Sequence, residues 1–226
     1  MSECPAPTPE ESCDFTFGDT LLTCLPSGAL YWRAKALLCV SDLHLGKSER
    51  LARRGGSLLP PYETRATLAR LESDIEATQA KCVVCLGDSF DDLAAAEGLD
   101  DNDRSWLLQL MAGREWIWIE GNHDAGPTDL GGSHLSHLDR APLIFRHIGG
   151  GCGFEISGHF HPKARLAGKS YRAFLQDEQR VILPAYGAYT GGLWTTDPAL
   201  QALMGPKSKA ILLACKVMVI PMPRQP

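Results

Sequence analysis

The chain has 226 residues, 44% hydrophobic and 22% charged, with a formal net charge of −5. That length suits one large domain whose core needs no disulfide staples, and the acidic balance argues against a protein that coats nucleic acid over its whole surface. No apolar stretch approaches the roughly 18 residues of a membrane span, and the eight cysteines, scattered and with no leader pattern before them, point to a reducing cytoplasm.

Residues 1–13 are polar and proline-rich and read as a loose segment ahead of a single domain over 14–226. Residues 14–25 and 29–33 read as two strands around a Pro-Ser-Gly turn, and a buried strand follows over 36–41. This strand runs straight into SDLHLGKS, where Asp42 and His44 are costly to bury unless something compensates them. A basic loop carries Lys47, Arg50, Arg53 and Arg54, interrupted by Glu49. LLPPYETRATLARLESDIEATQ opens on prolines and places Leu68, Leu71 and Ile75 at helical spacing, which predicts an amphipathic helix. KCVVCLGD reads as a short apolar strand tipped by Gly87 and Asp88. Its Cys82 and Cys85 point to opposite faces, so packing explains them better than a zinc site.

LDDNDRSWLLQLMAG reads as a second helix, acidic in its first turn and stopped at Gly113. EWIWIEGNHD, APLIFRH and GFEISGH repeat the theme of an apolar strand with a polar tip, and the remainder, including RVILPAY and KAILLACKVMVIP, reads as β-rich. His134 and His137 fall in a polar stretch and are expected to face solvent. LPAYGAYTGGLW is expected to be a tightly turning strand pair, with a partner surface as the alternative.

In open α/β sheets, ligands gather beyond the carboxyl ends of the strands. On extended backbone alternate side chains share a face, so Asp42 and His44 can address one object, and so can His159 and His161. A carboxylate with several imidazoles suits manganese, iron or zinc, whereas calcium or magnesium would call for oxygens nearly throughout. Asp88 can offer one oxygen to each of two ions, Asn122 a carbonyl oxygen and His147 a further imidazole. Asp42, His44, Asp88, Asn122, His147, His159 and His161 thus form a candidate ligand set for two divalent ions. Such a pair, about 3.5 to 4 Å apart, can acidify a shared water and clamp phosphate oxygens. Taken singly, Asp-x-His is often a surface pair and Gly-Asp often a turn. Their ordered recurrence at strand ends is what argues for a site.

The ordered set DLH, GDSFDD, GNHD and GHFHP resembles the calcineurin-like metallophosphoesterases over roughly residues 36–165. LHLGKSERLARRGGSLLPPYETRATLARL, WIWIEGNHD, SGHFHPKARL and LPAYGAYTGGL resemble a narrower group, the bacterial ligase-associated DNA-damage-response phosphoesterases, described as candidate endonucleases, and carry the likeness to about residue 195. The resemblance implies an α/β fold, a metallophosphoesterase-type β-sandwich flanked by helices in α/β/β/α layers. It also implies two divalent metal ions, expected to be manganese, with zinc, iron or magnesium as alternatives. Asp42, His44, Asp88 and His161 would hold the first ion, and Asp88, Asn122, His147 and His159 the second. His123 would protonate the leaving oxygen, with Asp124 or Asp42 as the carboxylate that keeps it charged.

Two departures from the narrower group stand out. Asp91 and Asp92 follow GDSF where His-Asp is expected, which adds a carboxylate near the site. Ile148 and three glycines follow Arg146-His147 where Glu-Pro is expected, which predicts a freer loop under His147. Lys47, Arg50, Arg53 and Arg54 are candidate substrate contacts, and Lys163, Arg165, Lys169 and Arg172 form a second basic set; a solvated face is the plain alternative for both. The expected activity is hydrolysis of phosphodiesters in DNA or at nucleic-acid ends during repair, with DNA ligase or helicase partners and no membrane. Small nucleotide or lipid phosphoesters, and a non-catalytic scaffold, are the competing readings.

Overall fold

A computed structural model describes residues 12–53, 55, 62–124, 126, 128–214 and 216–223. Arg54 and residues 1–11 of the segment expected to be loose lie outside these described residues. The first sheet runs in chain order through β1 (Cys13–Phe17), β2 (Thr20–Cys24), β3 (Leu30–Trp32), β4 (Leu37–Val40), β5 (Cys82–Leu86), β6 (Glu115–Ile119) and β7 (Ser133–Leu135). It is antiparallel up to β4 and parallel from β4 to β7. The remaining strands are β8 (His137–Arg140), β9 (Leu143–Arg146), β10 (Phe154–Ser157), β11 (Lys163–Leu166), β12 (Lys169–Gln176), β13 (Arg180–Ile182), β14 (Lys209–Leu212) and β15 (Met218–Pro221). The second sheet has the order β15-β14-β12-β13-β10-β9-β8, with β11 paired to β12 outside that path. Its β9, β10 and β13 are parallel neighbours.

The two sheets pack face to face, and the side-chain alternation of β4, β5 and β6 explains how. Leu37, Cys39, Cys82, Val84, Leu86, Ile117 and Ile119 point toward Leu143, Phe145, Ile156, Phe174, Val181 and Ile211 of the second sheet. Leu38, Val40, Val83, Cys85, Trp116 and Trp118 point the other way, onto Leu68, Leu71 and Ile75 of α2 (Glu63–Thr78) and Leu107 and Leu110 of α4 (Asp101–Met111). Parallel strands covered on both faces read as continuous apolar runs. Cys82 and Cys85 accordingly fall in opposite cores. The shorter α1 (Lys47–Arg53) and α3 (Leu93–Glu97) contact each other, and α1 also contacts α2. On the outer face of the second sheet, Leu200 of α5 (Pro198–Leu203) and Met204 cover Ala173, Leu175 and Ile182. The α/β/β/α layering is therefore present, with a slender fourth layer. No helix among the described residues is long and apolar enough to cross a membrane.

Three sequence expectations are corrected. The strand expected over 14–25 is a hairpin, because Gly18 and Asp19 both take left-handed conformations, φ 54° and 56°. Positive φ at both central residues is what a two-residue turn between twisted strands requires. The segment 184–193 is not a strand pair but a loop laid across the end of β4, with Tyr186 N donating to Ser41 O (2.8 Å) and Gly187 N to Asp42 O (3.1 Å). His134 does not lie in a loop: it belongs to β7, directly beside Trp118 in the ladder, and stacks on that indole at 6.4 Å. Burial there lowers the pKa of its imidazole. His137 is on β8 and exposed, as expected of its polar surroundings.

Phe174 is fully buried between the sheets. Phe174→Ala should cost about 3–5 kcal/mol in chemical denaturation. A loss below about 1 kcal/mol would mean that the sheets do not depend on that contact.

Candidate metal centre

All the predicted ligand residues lie just beyond strand carboxyl ends: Asp42 and His44 after β4, Asp88 after β5, Asn122 after β6, His147 after β9, and His159 and His161 after β10. The parallel pairing of β4 with β5 continues into the loops, with His44 N donating to Asp88 O (2.9 Å), Leu45 N to Ser89 O (3.0 Å) and Asp91 N back to Leu45 O (3.1 Å). These loops are tightly wound. Asp42, His44, Asp88, His159 and His161 all have φ between 46° and 71°. The left-handed conformation costs a non-glycine residue about 1–2 kcal/mol, and such strain persists only where the surroundings hold it. Close approach also constrains the glycines, since a Cβ on Gly121 would stand 2.1 Å from Asp88 N and one on Gly158 would stand 1.7 Å from Ser41 Oγ.

Three groups of donors result among the described residues; one joins His44 to Asp91 and His123, and the other two gather the predicted ligands. In the first of those two, an oxygen of Asp42 and ring nitrogens of His44 and His161 all lie within 4.8 Å of one another, with Asp42 Oδ1 3.1 Å from His161 Nε2. Asp42 Oδ2 is engaged separately, accepting from Ser41 Oγ (2.5 Å) and His159 N (2.9 Å). Asp42 Oδ1 and His44 Nε2 are buried without a hydrogen-bond partner among the described residues. In the other group, His147 Nδ1 faces Leu86 O at 2.8 Å, and since a carbonyl can only accept, that nitrogen carries the hydrogen. His147 Nε2 then presents a lone pair toward Asn122 Oδ1 (2.9 Å), His159 Nδ1 (3.2 Å) and Asp88 Oδ2 (3.4 Å). Ligands around an ion at roughly 2.1 Å stand roughly 3.0–3.4 Å apart in octahedral or tetrahedral arrangements. Converging lone pairs at these spacings, together with the partnerless Asp42 and His44 atoms, fit divalent cations.

The electrostatics agree. Burial alone would push the Asp88 carboxyl up, but the His147 imidazole and the His123 amide hold it well below the usual carboxylate range. Burial opposes a charge on His147, yet Asp88 and Asp42 raise its pKa above the ordinary value. His159 moves down, through burial and then through His147 beside it. Carboxylates set around these imidazoles favour positive charge at the site.

His123 stands apart from both ligand groups, with a third of its side chain exposed. Its Nδ1 faces Asp91 O at 3.0 Å, which fixes the hydrogen there and leaves Nε2 4.0 Å from Asp88 Oδ2 and open to a substrate. Neither Asp124 nor Asp42 is its carboxylate partner. Asp124 instead accepts from the backbone amides of Asp88, Ser89, Phe90 and Gly121, at 2.7–3.1 Å, and thereby holds the loop after β5 against the loop after β6. Burial, the largest influence, raises its pKa despite those amides. The Gly-Asn-His-Asp order supplies the residue, but nothing in the sequence distinguishes a clamp from a proton relay.

Asp91 is buried, with Oδ1 3.0 Å from His44 Nδ1 and Oδ2 against Arg50 Nη1. Burial would raise its carboxyl, but His44 and Arg50 hold it at about 2. It therefore orients His44 rather than facing a substrate. Arg50 also faces Asp92 (3.7 Å), and Arg53 pairs with Glu49 (2.6 Å) and Asp92 (2.9 Å), so these two arginines are engaged in tying α1 to the residues after GDSF and are not free phosphate contacts. Lys47, the first residue of α1, is half-buried. The glycine run after His147 is not loose either. Gly150 N (2.9 Å) and Gly151 N (3.0 Å) donate to the fully buried Glu155 carboxylate, which also faces Arg146 at 3.4 Å and Arg180 at 3.8 Å. Sequence reasoning missed Glu155, although a lone carboxylate inside the strand GFEIS is a signal that could have found it.

A profile of the family described as calcineurin-like phosphoesterase matches residues 36–196. No curated protein matches the chain. Among solved structures, one described as the crystal structure of Pseudomonas putida nuclease MPE superposes with a TM-score of 0.74 at 26% identity, over 92% of this chain and 100% of that one.

Asp124→Ala should leave buried amides without their acceptor, at a cost of about 1–3 kcal/mol or more in thermal or denaturant unfolding. Unchanged stability would show that the two loops are held by other means.

Proposed function

The chain belongs to the calcineurin-like phosphoesterase family and is a metal-dependent phosphoester hydrolase, and from that premise we propose that it cleaves phosphodiester bonds in nucleic acid. The observation that carries the reading is the pair of facing donor groups, each a buried carboxylate with imidazoles, with Asp42 Oδ1 and His44 Nε2 left without partners. In this reading Asp42, His44 and His161 would hold one divalent cation and Asp88, Asn122, His147 and His159 the other, with Asp88 the carboxylate proposed to be shared. The nitrogen-rich set suits manganese, iron or zinc better than magnesium, and manganese is the proposed occupant. Likeness to the Pseudomonas putida nuclease supports a polynucleotide substrate. The repair setting, and DNA ligase or helicase partners, rest on the sequence resemblance to the ligase-associated group. The free buried thiols of Cys24, Cys39, Cys82 and Cys85 suit a reducing cytoplasm.

Bound divalent cations supply Lewis acidity, lowering the pKa of water and neutralising charge on phosphoryl oxygens. The chain does the rest. Asp91 and the Leu86 carbonyl fix the far sides of His44 and His147, so that each ring can present its Nε2. In its doubly protonated form His123, held through Nδ1–H, would give its Nε2 proton to the departing oxygen and be left as the neutral ring with its hydrogen on Nδ1. Asp124 keeps the Asp88 and His123 loops in register, which matters because small misplacements of reacting groups are expensive.

One observation favours a second reading, hydrolysis of small phosphoesters: the arginines of α1 that could track a phosphate backbone are neutralised by Glu49, Asp91 and Asp92. Metal-stripped protein reloaded separately with manganese, zinc and magnesium should turn over a plasmid or oligonucleotide best with manganese. Activity confined to small phosphoesters would replace the first reading by the second.

His123→Ala is expected to lower turnover roughly 10²-fold or more with metal content unchanged, whereas Asp88→Ala should lose both metal and activity. Elemental analysis alongside kinetics separates the two roles. Full two-ion occupancy in Asp88→Ala would remove its proposed sharing, and undiminished turnover in His123→Ala would remove the proton donor.

A further inference from the structure

The two basic sets that flank the ligand loops meet opposite fates. On α1 the arginines face carboxylates of the same chain. On β11, Lys163 Nζ lies 4.8 Å and Arg165 Cζ 4.3 Å from the centroid of the Trp194 ring, and neither is within ion-pair distance of a carboxylate among the described residues. Residues two apart on a strand share a face, so the indole gathers both cations on one side of β11. Trp194 is itself held there, because Lys163 N donates to Leu193 O and Thr195 N to Lys163 O, both at 2.8 Å. A cation over an aromatic ring has no full counter-charge beside it, unlike one in an ion pair, and remains able to meet a phosphate. Arg172 does not belong to this edge. It is half-buried and donates to Ala185 O (2.9 Å) and Ser27 O (3.1 Å).

The edge adjoins the metal centre directly. Lys163 follows His161 by two residues, and Gly192 packs so closely that a Cβ there would stand 1.9 Å from His161 O. Leu193 N donates to Phe160 O at 3.1 Å, while at the other end of the same loop Gly187 N donates to Asp42 O at 3.1 Å. The loop is thus sutured at both ends to ligand-bearing segments, and between the sutures it carries Tyr189 with 48% of its surface exposed.

We propose that the 187–194 loop and β11 form a docking edge for single-stranded polynucleotide, with Lys163 and Arg165 taking phosphates beside the scissile one and Tyr189 stacking on an unpaired base. The inference rests on the phosphodiesterase reading above and specifies its substrate. Base faces are closed inside a duplex, so a protruding phenol can meet one only in a single strand, an overhang or a frayed end. The overall charge of −5 makes a local cationic edge the more necessary for a polyanion.

The test compares metal-loaded wild type, a Lys163→Gln/Arg165→Gln double variant and Tyr189→Ala, all checked for unchanged unfolding temperature. The substrates are a single-stranded oligonucleotide in deoxyribo and ribo form, the matching duplex, and bis(p-nitrophenyl) phosphate. In the double variant, the ratio of kcat/KM on the single strand to that on the small diester should fall roughly 10-fold, and the slope of log kcat/KM against log salt should flatten by about 1.4, two contacts at about 0.7 each. Tyr189→Ala should lower the same ratio roughly 5-fold or more. Whichever oligonucleotide is cut identifies the sugar. Ratios and slopes that stay constant, losses as large on the small diester, or losses as large on the duplex each overturn the docking edge while the nuclease reading stands. A wild type that cleaves the small diester and no polynucleotide overturns the nuclease reading, and the edge with it.

Discussion

Lone pairs that face one another in a buried place are unfavourable unless a positive charge stands between them, and this protein gathers many of them where two sheets meet. Asp88 Oδ2, Asn122 Oδ1 and His159 Nδ1 all crowd His147 Nε2 at 2.9–3.4 Å, while Asp42 Oδ1 and His44 Nε2 point into the same region without partners. Most of the local structure around them exists to hold that arrangement. Left-handed backbone at the ligands, glycines that admit a second loop at contact distance, and strand pairing prolonged past the strand ends all press in the same direction.

Two buried carboxylates that do not face the donor groups have matching roles. Asp124 gathers the amides of the loops after β5 and β6, and Glu155 gathers those of the glycine run after β9. Charge-assisted bonds from several backbone amides to one carboxylate are among the stronger polar contacts available, and they fix loops that carry little apolar surface of their own. Asp91 serves a third such purpose through a side chain, bracing His44 while Arg50 balances its charge. The strong acidity at the strand ends is thus divided between groups placed to face cations and groups that hold those groups still.

The ligand residues come from both sheets: Asp42, His44, Asp88 and Asn122 from the first, His147, His159 and His161 from the second. Their convergence therefore depends on the apolar layer between the sheets, where Leu37, Val84 and Ile117 meet Phe145, Ile156 and Phe174. The same architecture explains why the loop over 187–194 can link the two halves of the centre, touching Asp42 at one end and His161 at the other. Phosphoester chemistry is thus built at a seam between the sheets, with a third of the His123 side chain exposed.

The amino-acid sequence by itself determined the strands that carry the ligands, the two main helices and the candidate ligands, because each of these is written locally: a short apolar run sets a strand, and a polar tip marks its end. It also determined the family, through the order of Asp-x-His, Gly-Asp, Gly-Asn-His-Asp and Gly-His-x-His. What only the tertiary structure decided was which charges meet. Asp124 reaches amides 34 to 36 residues away, Arg50 finds Asp91 at a separation of 41, and Trp194 settles against Lys163 and Arg165, so that Arg50 and Arg53 are ion-paired whereas Lys163 and Arg165 are not among the described residues. Such pairings follow from the path of the chain between strand ends, and no local pattern encodes them, since a side chain's charge is visible in the sequence but its neighbour is fixed only by packing.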